Sequence, residues 1–250
     1  MSADLDSSRL GPSEDPSQRS LFDRHASTYS EDLNCAVSFG FKNSDFFTKA
    51  KADLLIHLIG KRFGNVNGLN FLDVGCGTGI LHPLLIAAGL NVSGVDVVSG
   101  PLEVARATNP EVQYRIYDGR RLPFEDKMFD VTLAVCVFHH VPAKEQTALA
   151  AEMRRVTRPG GLLCIIEHNP LNLLTRLAVR RCPFDKDAAL LPARKTLALL
   201  QAVGMSAGTI KIRYFLFSPF DFACLRVAER FIGWLCLGAQ YCAYGINSDT

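Results

Sequence analysis

A ten-residue stretch, 71–80, constrains this chain more than any other, and it reads Phe-Leu-Asp-Val-Gly-Cys-Gly-Thr-Gly-Ile. An apolar segment that suits a buried strand leads into glycines at 75, 77 and 79, and a helical pattern follows. A glycine turn between strand and helix lets the backbone approach a ligand closely and points free helix N–H groups towards it. The stretch therefore predicts an α/β fold that binds a ligand here. The alternative is that the turn only makes a tight connection.

The spacing of the glycines separates two classes of ligand. A dinucleotide fingerprint reads G-x-G-x-x-G, and Ile80 occupies the place of its third glycine. Residues 73–79, Asp-Val-Gly-Cys-Gly-Thr-Gly, resemble instead the glycine-rich motif of class I S-adenosylmethionine (SAM) methyltransferases. The resemblance implies that SAM is the cofactor and that the motif contributes Asp73, Gly75, Cys76, Gly77 and Gly79 to its binding site.

Three other segments carry the same resemblance, which extends over residues 22–169. Residues 122–130 read Leu-Pro-Phe-Glu-Asp-Lys-Met-Phe-Asp and residues 155–161 read Arg-Val-Thr-Arg-Pro-Gly-Gly, both typical of the family. Residues 22–29 are similar to the Phe-Asp-x-x-Ala-x-x-Tyr segment that folds over the cofactor in small-molecule methyltransferases. That similarity implies a cofactor contact for Tyr29, whereas the alternative is the start of an ordinary amphipathic helix.

The periodicity of apolar residues predicts alternating strands and helices. We predict strands at 69–74, 91–95, 112–117, 131–135, 162–166, 209–217 and 240–244. We predict helices at 45–59 with Gly60 as its stop, from the glycine turn to 88, from 99 to 109 with Pro101 at the first helical position, at 144–156, 193–203 and 220–235, and a break at 158–161. The resemblance implies a Rossmann-like, seven-stranded sheet of order 3-2-1-4-5-7-6, with strand seven antiparallel and helices on both faces.

The predicted domain organisation follows from composition and from the extent of the resemblance. Residues 1–20 are rich in Ser, Asp, Glu and Pro, which predicts a flexible tail. We expect a methyltransferase domain at 21–246, with a substrate-cover segment inserted at 171–192.

Acidic residues follow the second and third predicted strands. Asp96 lies 17 residues beyond Gly79, close to where a carboxylate accepts hydrogen bonds from ribose hydroxyls. By resemblance, Asp118 takes the adenine amino group, although it could instead cap the turn that it makes with Gly119. The cofactor site implied by the family also includes Val97, Gly119 and Cys136.

Two adjacent histidines, His139 and His140, follow the fourth predicted strand at the edge where ligands bind in open α/β sheets. An imidazole here could act as general base for a hydroxyl or amine acceptor. The alternative is that the pair only starts a helix and packs beside the cofactor. Glu167 and His168, after strand five, are second candidates for the base.

The sequence predicts neither a metal site nor a nucleic-acid partner. Some quinone-biosynthesis O-methyltransferases carry Glu-x-x-Glu-His after strand four and bind a divalent metal, but here Cys136, His139 and His140 stand in those places without the carboxylates. The Asn/Asp-Pro-Pro-aromatic motif of nucleic-acid amino-methyltransferases is also absent, and the net charge is only +2. We therefore expect no metal and no nucleic-acid partner.

Composition bears on compartment and substrate. Eight cysteines without a C-x-x-C pair, and no apolar signal segment or spanning run, predict a cytoplasmic protein with reduced thiols. The basic insert, which includes Arg176, Arg180 and Arg181, could receive an anionic group, although a solvated helix face is the alternative. The apolar helix at 220–235 could be core, substrate cover or an interfacial membrane contact.

The predicted function is SAM-dependent methylation of a small molecule, which we place on oxygen. Two alternatives stay open. One is C- or N-methylation of a quinone- or lipid-like acceptor, and the other is a catalytically silent SAM-binding regulatory protein.

Overall fold

The computed structural model describes residues 44–182, 189–218, 229 and 231–248. The predicted tail at 1–20, the segment 22–29 with Tyr29, and residues 183–188 of the insert lie outside this range. Seven strands form one sheet in the described chain: β1 (Asn70–Val74), β2 (Asn91–Asp96), β3 (Gln113–Ile116), β4 (Phe129–Val135), β5 (Thr157–His168), β6 (Lys211–Phe215) and β7 (Gln240–Ile246).

The order of the sheet is β3-β2-β1-β4-β5-β7-β6, which confirms the predicted topology. Strands β1 to β5 pair in parallel, and β7 pairs antiparallel with both β5 and β6. The carboxyl ends of β1, β2, β4 and β5 therefore meet along one edge of the sheet, where ligands bind in open α/β folds.

Helices cover both faces of the sheet. The described residues form α1 (Ser44–Phe63), α2 (His82–Ala87), α3 (Ser99–Thr108), α4 (Gln146–Val156), α5 (Leu173–Arg181) and α6 (Ala193–Ala202). Side chains alternate along β1, so Phe71 packs with α1, α2 and α3, while Leu72 and Val74 pack with α4 and α6. Parallel strands covered on both faces are largely buried, as β1 and β4 are here although each also carries polar residues.

Several helix boundaries differ from the prediction. Helix α1 continues past Gly60 to Phe63, and Gly64, at φ 80°, follows its last residue. Helix α2 begins only at His82, three residues after the last glycine of the turn, and has six residues. Helix α3 starts at Ser99, so Pro101 is its third residue rather than its first. Pro is tolerated there because the first-turn N–H groups have no intrahelical partner.

The predicted break at 158–161 is wrong, because these residues belong to β5. The pairing of β4 with β5 shifts from Phe129–Thr157 to Val131–Leu162, which accommodates the extra residues as an irregularity. The Gly160 N–H donates to the Asn247 carbonyl at 2.6 Å, and the Asn247 N–H donates to Gly161 at 2.9 Å. The chain after β7 thus supplies the hydrogen bonds that hold this segment in place, with Gly160 at φ 73°.

The predicted helix at 220–235 falls mostly outside the described residues. Of the residues described there, 229 and 231–232 are helical, and the chain turns from 233 onwards. The helical part therefore ends at Ile232 rather than at the predicted 235, since Gly233 and the residues after it lead directly into β7.

Candidate active site

A cleft opens at the carboxyl edge of the sheet, and its first wall is the glycine turn after β1. The N–H groups of Gly75 and Cys76 both donate to the carbonyl of Val95 in β2, at 2.8 and 3.0 Å. Gly75 has φ 72°, and a Cβ placed there would lie 2.5 Å from a methyl of Val137. Gly77 has φ 53°, and its Cβ would meet nothing within 4 Å. Gly75 thus lets the loop after β4 approach, whereas Gly77 faces open cleft.

Asp96, the last residue of β2, lines the cleft and braces this turn. One carboxylate oxygen accepts the Gly77 N–H at 2.8 Å, and the other accepts the Val98 N–H at 3.0 Å. Burial raises the pKa of Asp96, and the N–H groups of Gly77, Val98 and Val97 act against that rise. The carboxylate therefore holds Gly77 in place while it faces the ligand space beside Val97.

Asp73, in β1, is buried and also lines the cleft. Its Oδ2 lies 3.1 Å from His82 Nε2, and His82 Nδ1 lies 2.6 Å from the Tyr114 hydroxyl. With its proton on Nε2, His82 donates to Asp73 and accepts from Tyr114. Asp73 Oδ1 is buried and has no hydrogen-bond partner within the described chain. An acceptor of this kind is costly unless a ligand satisfies it.

Gly79 does not line the cleft, although the sequence groups it with the cofactor residues. A Cβ there would lie 2.6 Å from the Tyr114 hydroxyl and 3.0 Å from His82 Nδ1. The third glycine thus makes room for the buried chain of side chains behind the turn. Sequence reasoning missed His82 and Tyr114, because a helix residue and a β3 residue carry no motif that connects them.

The structure separates the two predicted histidines. His140 lines the cleft, whereas His139 is buried behind it, with the two ring centroids 4.2 Å apart. His139 Nδ1 lies 2.5 Å from Glu167 Oε2, at the end of β5. The predicted pair is therefore one residue at the cleft surface and one residue that supports it.

Glu167 is fully buried, and its other oxygen accepts the Phe138 N–H at 2.8 Å. Burial alone would raise the pKa of Glu167. The charge and hydrogen bond of His139, with the charges of His168 and His140, outweigh burial and lower it overall. An ionised Glu167 thus fixes the His139 ring and the backbone of the loop after β4.

Cys136 follows β4 with φ 56°, a left-handed conformation that is uncommon outside glycine. Its Sγ lies 3.6 Å from His168 Nε2 and 3.7 Å from Gln240 Nε2. Cys136 and His168 both line the cleft, so the carboxyl ends of β4 and β5 form its second wall.

Asp118 and Gly119 have different positions. One carboxylate oxygen of Asp118 accepts the N–H groups of Arg120 and Arg121 at 2.9 and 3.2 Å, and these bonds lower the pKa of Asp118. In the structure Asp118 thus caps a turn, which was the alternative interpretation, while Gly119 lines the cleft. The adenine contact of Asp118 stays a prediction.

Other cleft residues come from elements that the sequence did not connect with the site. Helix α1 contributes Thr48 and Lys51 to the cleft, and Cys182, the residue directly after α5, also lines it. Among the described residues, no group of three or more His, Cys, Asp or Glu side chains is placed to hold a metal ion. None of the described helices is long and apolar enough to cross a membrane.

Comparison with known proteins identifies the central part of the chain. Residues 72–165 match a family model described as "Methyltransferase domain". Residues 72–165 thus carry a class I SAM-dependent methyltransferase domain. The family match supports SAM as the cofactor and methyl transfer as the class of reaction.

The curated relatives are similar over part of their length. Over 104 residues the chain is 36% identical to a demethylmenaquinone methyltransferase of Renibacterium salmoninarum, which covers 42% of this chain and 43% of the relative. Over 124 residues it is 34% identical to a ubiquinone biosynthesis O-methyltransferase of Pseudomonas aeruginosa, covering 47% and 52%. The chain thus spans about half the length of these relatives. Other matches are named as probable tRNA methyltransferases, so the exclusion of nucleic acids stays a prediction.

A solved structure agrees on the fold. The chain superposes with TM-score 0.65 on a SAM-dependent methyltransferase of Thermotoga maritima, titled a possible histamine N-methyltransferase. The superposition covers 92% of this chain and all of that chain at 18% identity, which establishes the shared fold alone.

The residues of the cleft suit SAM as a ligand. Asp73 Oδ1 offers a buried acceptor for a cationic ammonium group, and Asp96 offers a carboxylate for ribose hydroxyls. The open space beside Gly77 leaves room for the aliphatic part of the cofactor.

Proposed function

We propose that the chain methylates a hydroxyl oxygen of a small organic acceptor, with His140 as general base. The observation that carries this proposal is the different placement of the two histidines. His140 lines the cleft, and the buried His139–Glu167 pair packs directly behind it. A base that packs against a side chain which is itself fixed by a hydrogen bond keeps its orientation when the acceptor binds.

The protein's own residues position the reactants and move one proton. SAM supplies a methyl group on a sulfonium, which is already activated for transfer. Asp73, Asp96 and Gly77 would hold the cofactor, and His140 would remove the hydroxyl proton of the acceptor. Holding the reactants in line can contribute about 7–11 kcal/mol at best, and a positioned base about 10²–10⁴-fold in rate.

The relatives support an acceptor of the quinone class. One is named a demethylmenaquinone methyltransferase and another a ubiquinone biosynthesis O-methyltransferase. The cleft walls combine apolar Val135, Val137, Val141 and Leu149 with the polar histidines, which suits an aromatic ring that bears a hydroxyl. A lipid-linked or anionic acceptor is part of the same proposal. C- or N-methylation of such a compound is the alternative.

The test of this function uses labelled SAM with a panel of catechols, hydroquinones and extracts of a deletion strain. We expect methyl transfer to a hydroxyl by the wild-type protein. His140→Ala should lower turnover by about 10²–10⁴-fold with SAM affinity nearly unchanged. His57→Ala, an exposed histidine of α1, is the matched control and should retain full turnover.

Two outcomes would contradict the proposal. Near-native turnover of His140→Ala would leave His140 with a packing role. Such a result would also fit an acceptor carbon, which needs no base. SAM binding without any methylated product in the extracts would instead favour the catalytically silent binding protein.

A further inference from the structure

Helix α5 exposes apolar side chains that a helix of a globular domain ordinarily buries. Its buried side chains are Thr175 and Val179, one turn apart. Its exposed side chains include three leucines, and two more lie immediately beside the helix. Their exposed fractions are between 39% and 74%, for Leu171, Leu173, Leu174, Leu177 and Leu237. We call these five residues the leucine patch. A contiguous apolar surface of this kind marks an interaction site.

Hydrogen bonds tie the two parts of the patch together. The Asn172 side chain donates to the Leu237 carbonyl at 2.8 Å and caps α5 by accepting the Thr175 N–H at 2.9 Å. The Thr175 hydroxyl donates to the Ala239 carbonyl at 3.0 Å. The segment that carries Leu237 is therefore fixed against the N-terminal turn of α5, and the exposure of the leucines belongs to the folded arrangement.

The charge around the patch is positive. Arg176 and Arg180 are exposed one turn apart, at the i and i+4 positions of α5. Residues 171–182 and 231–240 contain no Asp or Glu. Exposed leucines with arginines on the same helix, and no carboxylate in these two segments, fit the boundary between acyl chains and anionic headgroups.

We infer that the leucine patch docks on the surface of an anionic phospholipid bilayer. A second copy of the chain fits less well, because a two-fold contact through this face would bring two sets of arginines together without carboxylates from the same segments. A bilayer supplies both the apolar interior and the negative surface charge. The inference on docking stands without the proposed function.

The position of the patch relative to the cleft gives the docking a purpose. His168, the last residue of β5, lines the cleft on the side where α5 begins, and Cys182, directly after α5, lines it too. A docked protein would hold the cleft at the level of the headgroups. An acceptor with an apolar tail could then reach the cleft without leaving the bilayer, and this step alone rests on the lipid-linked acceptor proposed above.

The test is flotation of the full chain with unilamellar vesicles. One set contains equal parts of phosphatidylcholine and phosphatidylglycerol, and the other contains phosphatidylcholine alone. We expect binding to the anionic vesicles and its loss in high salt. Leu173→Glu combined with Leu177→Glu should weaken binding by about tenfold or more, and Arg176→Gln with Arg180→Gln by about thirtyfold.

The matched control places two acidic residues on other exposed apolar positions, Ile116→Glu with Met128→Glu. It should bind vesicles like the wild-type protein once the change in net charge is allowed for by salt titration. Circular dichroism and SAM affinity verify that every variant is folded. No vesicle binding by the wild-type chain, or equal loss in the control and the leucine variant, would overturn the inference.

Two further outcomes have defined meanings. Dimerisation that the leucine variant abolishes, seen by analytical ultracentrifugation without lipid, would assign the patch to a second copy and refute bilayer docking. Failure of methyl transfer with vesicle binding intact would contradict the proposed function and leave the docking surface standing.

Discussion

At the scale of single residues, the cleft depends on a buried relay that no cofactor motif contains. Tyr114, His82 and Asp73 are linked by contacts of 2.6 and 3.1 Å, and Asn109 donates to the same Tyr114 hydroxyl at 3.3 Å. Burial raises the pKa of the Tyr114 hydroxyl, so it stays protonated and available as a donor. The relay orients Asp73 so that its second oxygen faces the ligand space.

The first prediction concerns His82. His82→Leu should weaken SAM binding by about 1–3 kcal/mol, because Asp73 then loses the donor that orients it. Isothermal calorimetry gives the affinity, and chemical unfolding gives the stability. His82→Gln, which keeps one donor, should recover part of the affinity. Equal loss of affinity in both variants at equal stability would assign His82 to packing alone.

The second prediction concerns Gly77. Gly77→Val should abolish SAM binding while the fold persists, because its side chain would project into open cleft and not into the core. A branched residue at φ 53° also adds about 1–2 kcal/mol of backbone strain. Calorimetry with SAM on a variant that has a native circular dichroism spectrum makes the measurement, and an unchanged affinity would refute this placement of the cofactor.

At the scale of elements, local patterns fixed the strands and helices better than their ends. Apolar runs and glycines predicted the alternation, since each signal lies within one window of sequence. The end of α1 and the start of β5 were predicted wrongly, because both depend on residues far along the chain. Asn247, whose backbone bonds to Gly160 and Gly161, lies 86 positions after Gly161.

The same limit applied to the site. Motif resemblance named Asp73, Asp96, Gly77 and Cys136, and these residues do line the cleft. The place after strand four suggested both His139 and His140, and the resemblance grouped Gly79 with the cofactor residues, but His139 and Gly79 lie behind the cleft surface. Whether a side chain near a strand end faces the cleft or the core depends on one backbone angle, which composition and spacing leave open.

The third prediction concerns the link between β5 and the loop after β4. The pKa of Glu167 is lowered in the folded state, so its ionised form contributes stability above the unfolded value of 4.5 and loses it as the pH falls through the folded pKa. Glu167→Gln should lower the free energy of unfolding at pH 7 by about 1–3 kcal/mol. Urea titrations at several pH values should show this difference shrinking below pH 4.5.

A pH-independent difference between the wild-type protein and Glu167→Gln would contradict the assignment. Glu125→Gln, an exposed glutamate, is the matched control and should change the free energy of unfolding little at any pH.

At the scale of the whole molecule, the antiparallel strand β7 closes the sheet and carries the segment before it to the mouth of the cleft. Asn169 is 1% exposed and fastens that segment. Its side-chain amide donates to the carbonyls of Cys236 and Gly238 at 2.9 and 2.8 Å, and its oxygen accepts the Leu171 N–H at 3.1 Å. One buried side chain thus joins β5, the start of α5 and the approach to β7.

The fourth prediction follows from Asn169. Asn169→Ala should lower the free energy of unfolding by about 2–4 kcal/mol, because it removes three hydrogen bonds and leaves the buried Gly238 carbonyl without its donor. Denaturant titration measures this loss, and limited proteolysis should cut earlier near α5. Asn65→Ala, in an exposed loop, is the control. A stability like that of the wild-type protein would mean that water replaces the lost bonds.

The place of β7 between β5 and β6 also dictates an order of assembly during synthesis on the ribosome. The first five strands can pair as they emerge, but β5 keeps an open edge, and β6 has no neighbour, until residues 240–246 have been made. Chain growth thus passes through a stage in which an apolar strand edge is exposed, the kind of intermediate that aggregates and that chaperones recognise. The α5 side of the cleft is completed only when β7 arrives, so the mouth of the candidate site forms after the first five strands have paired.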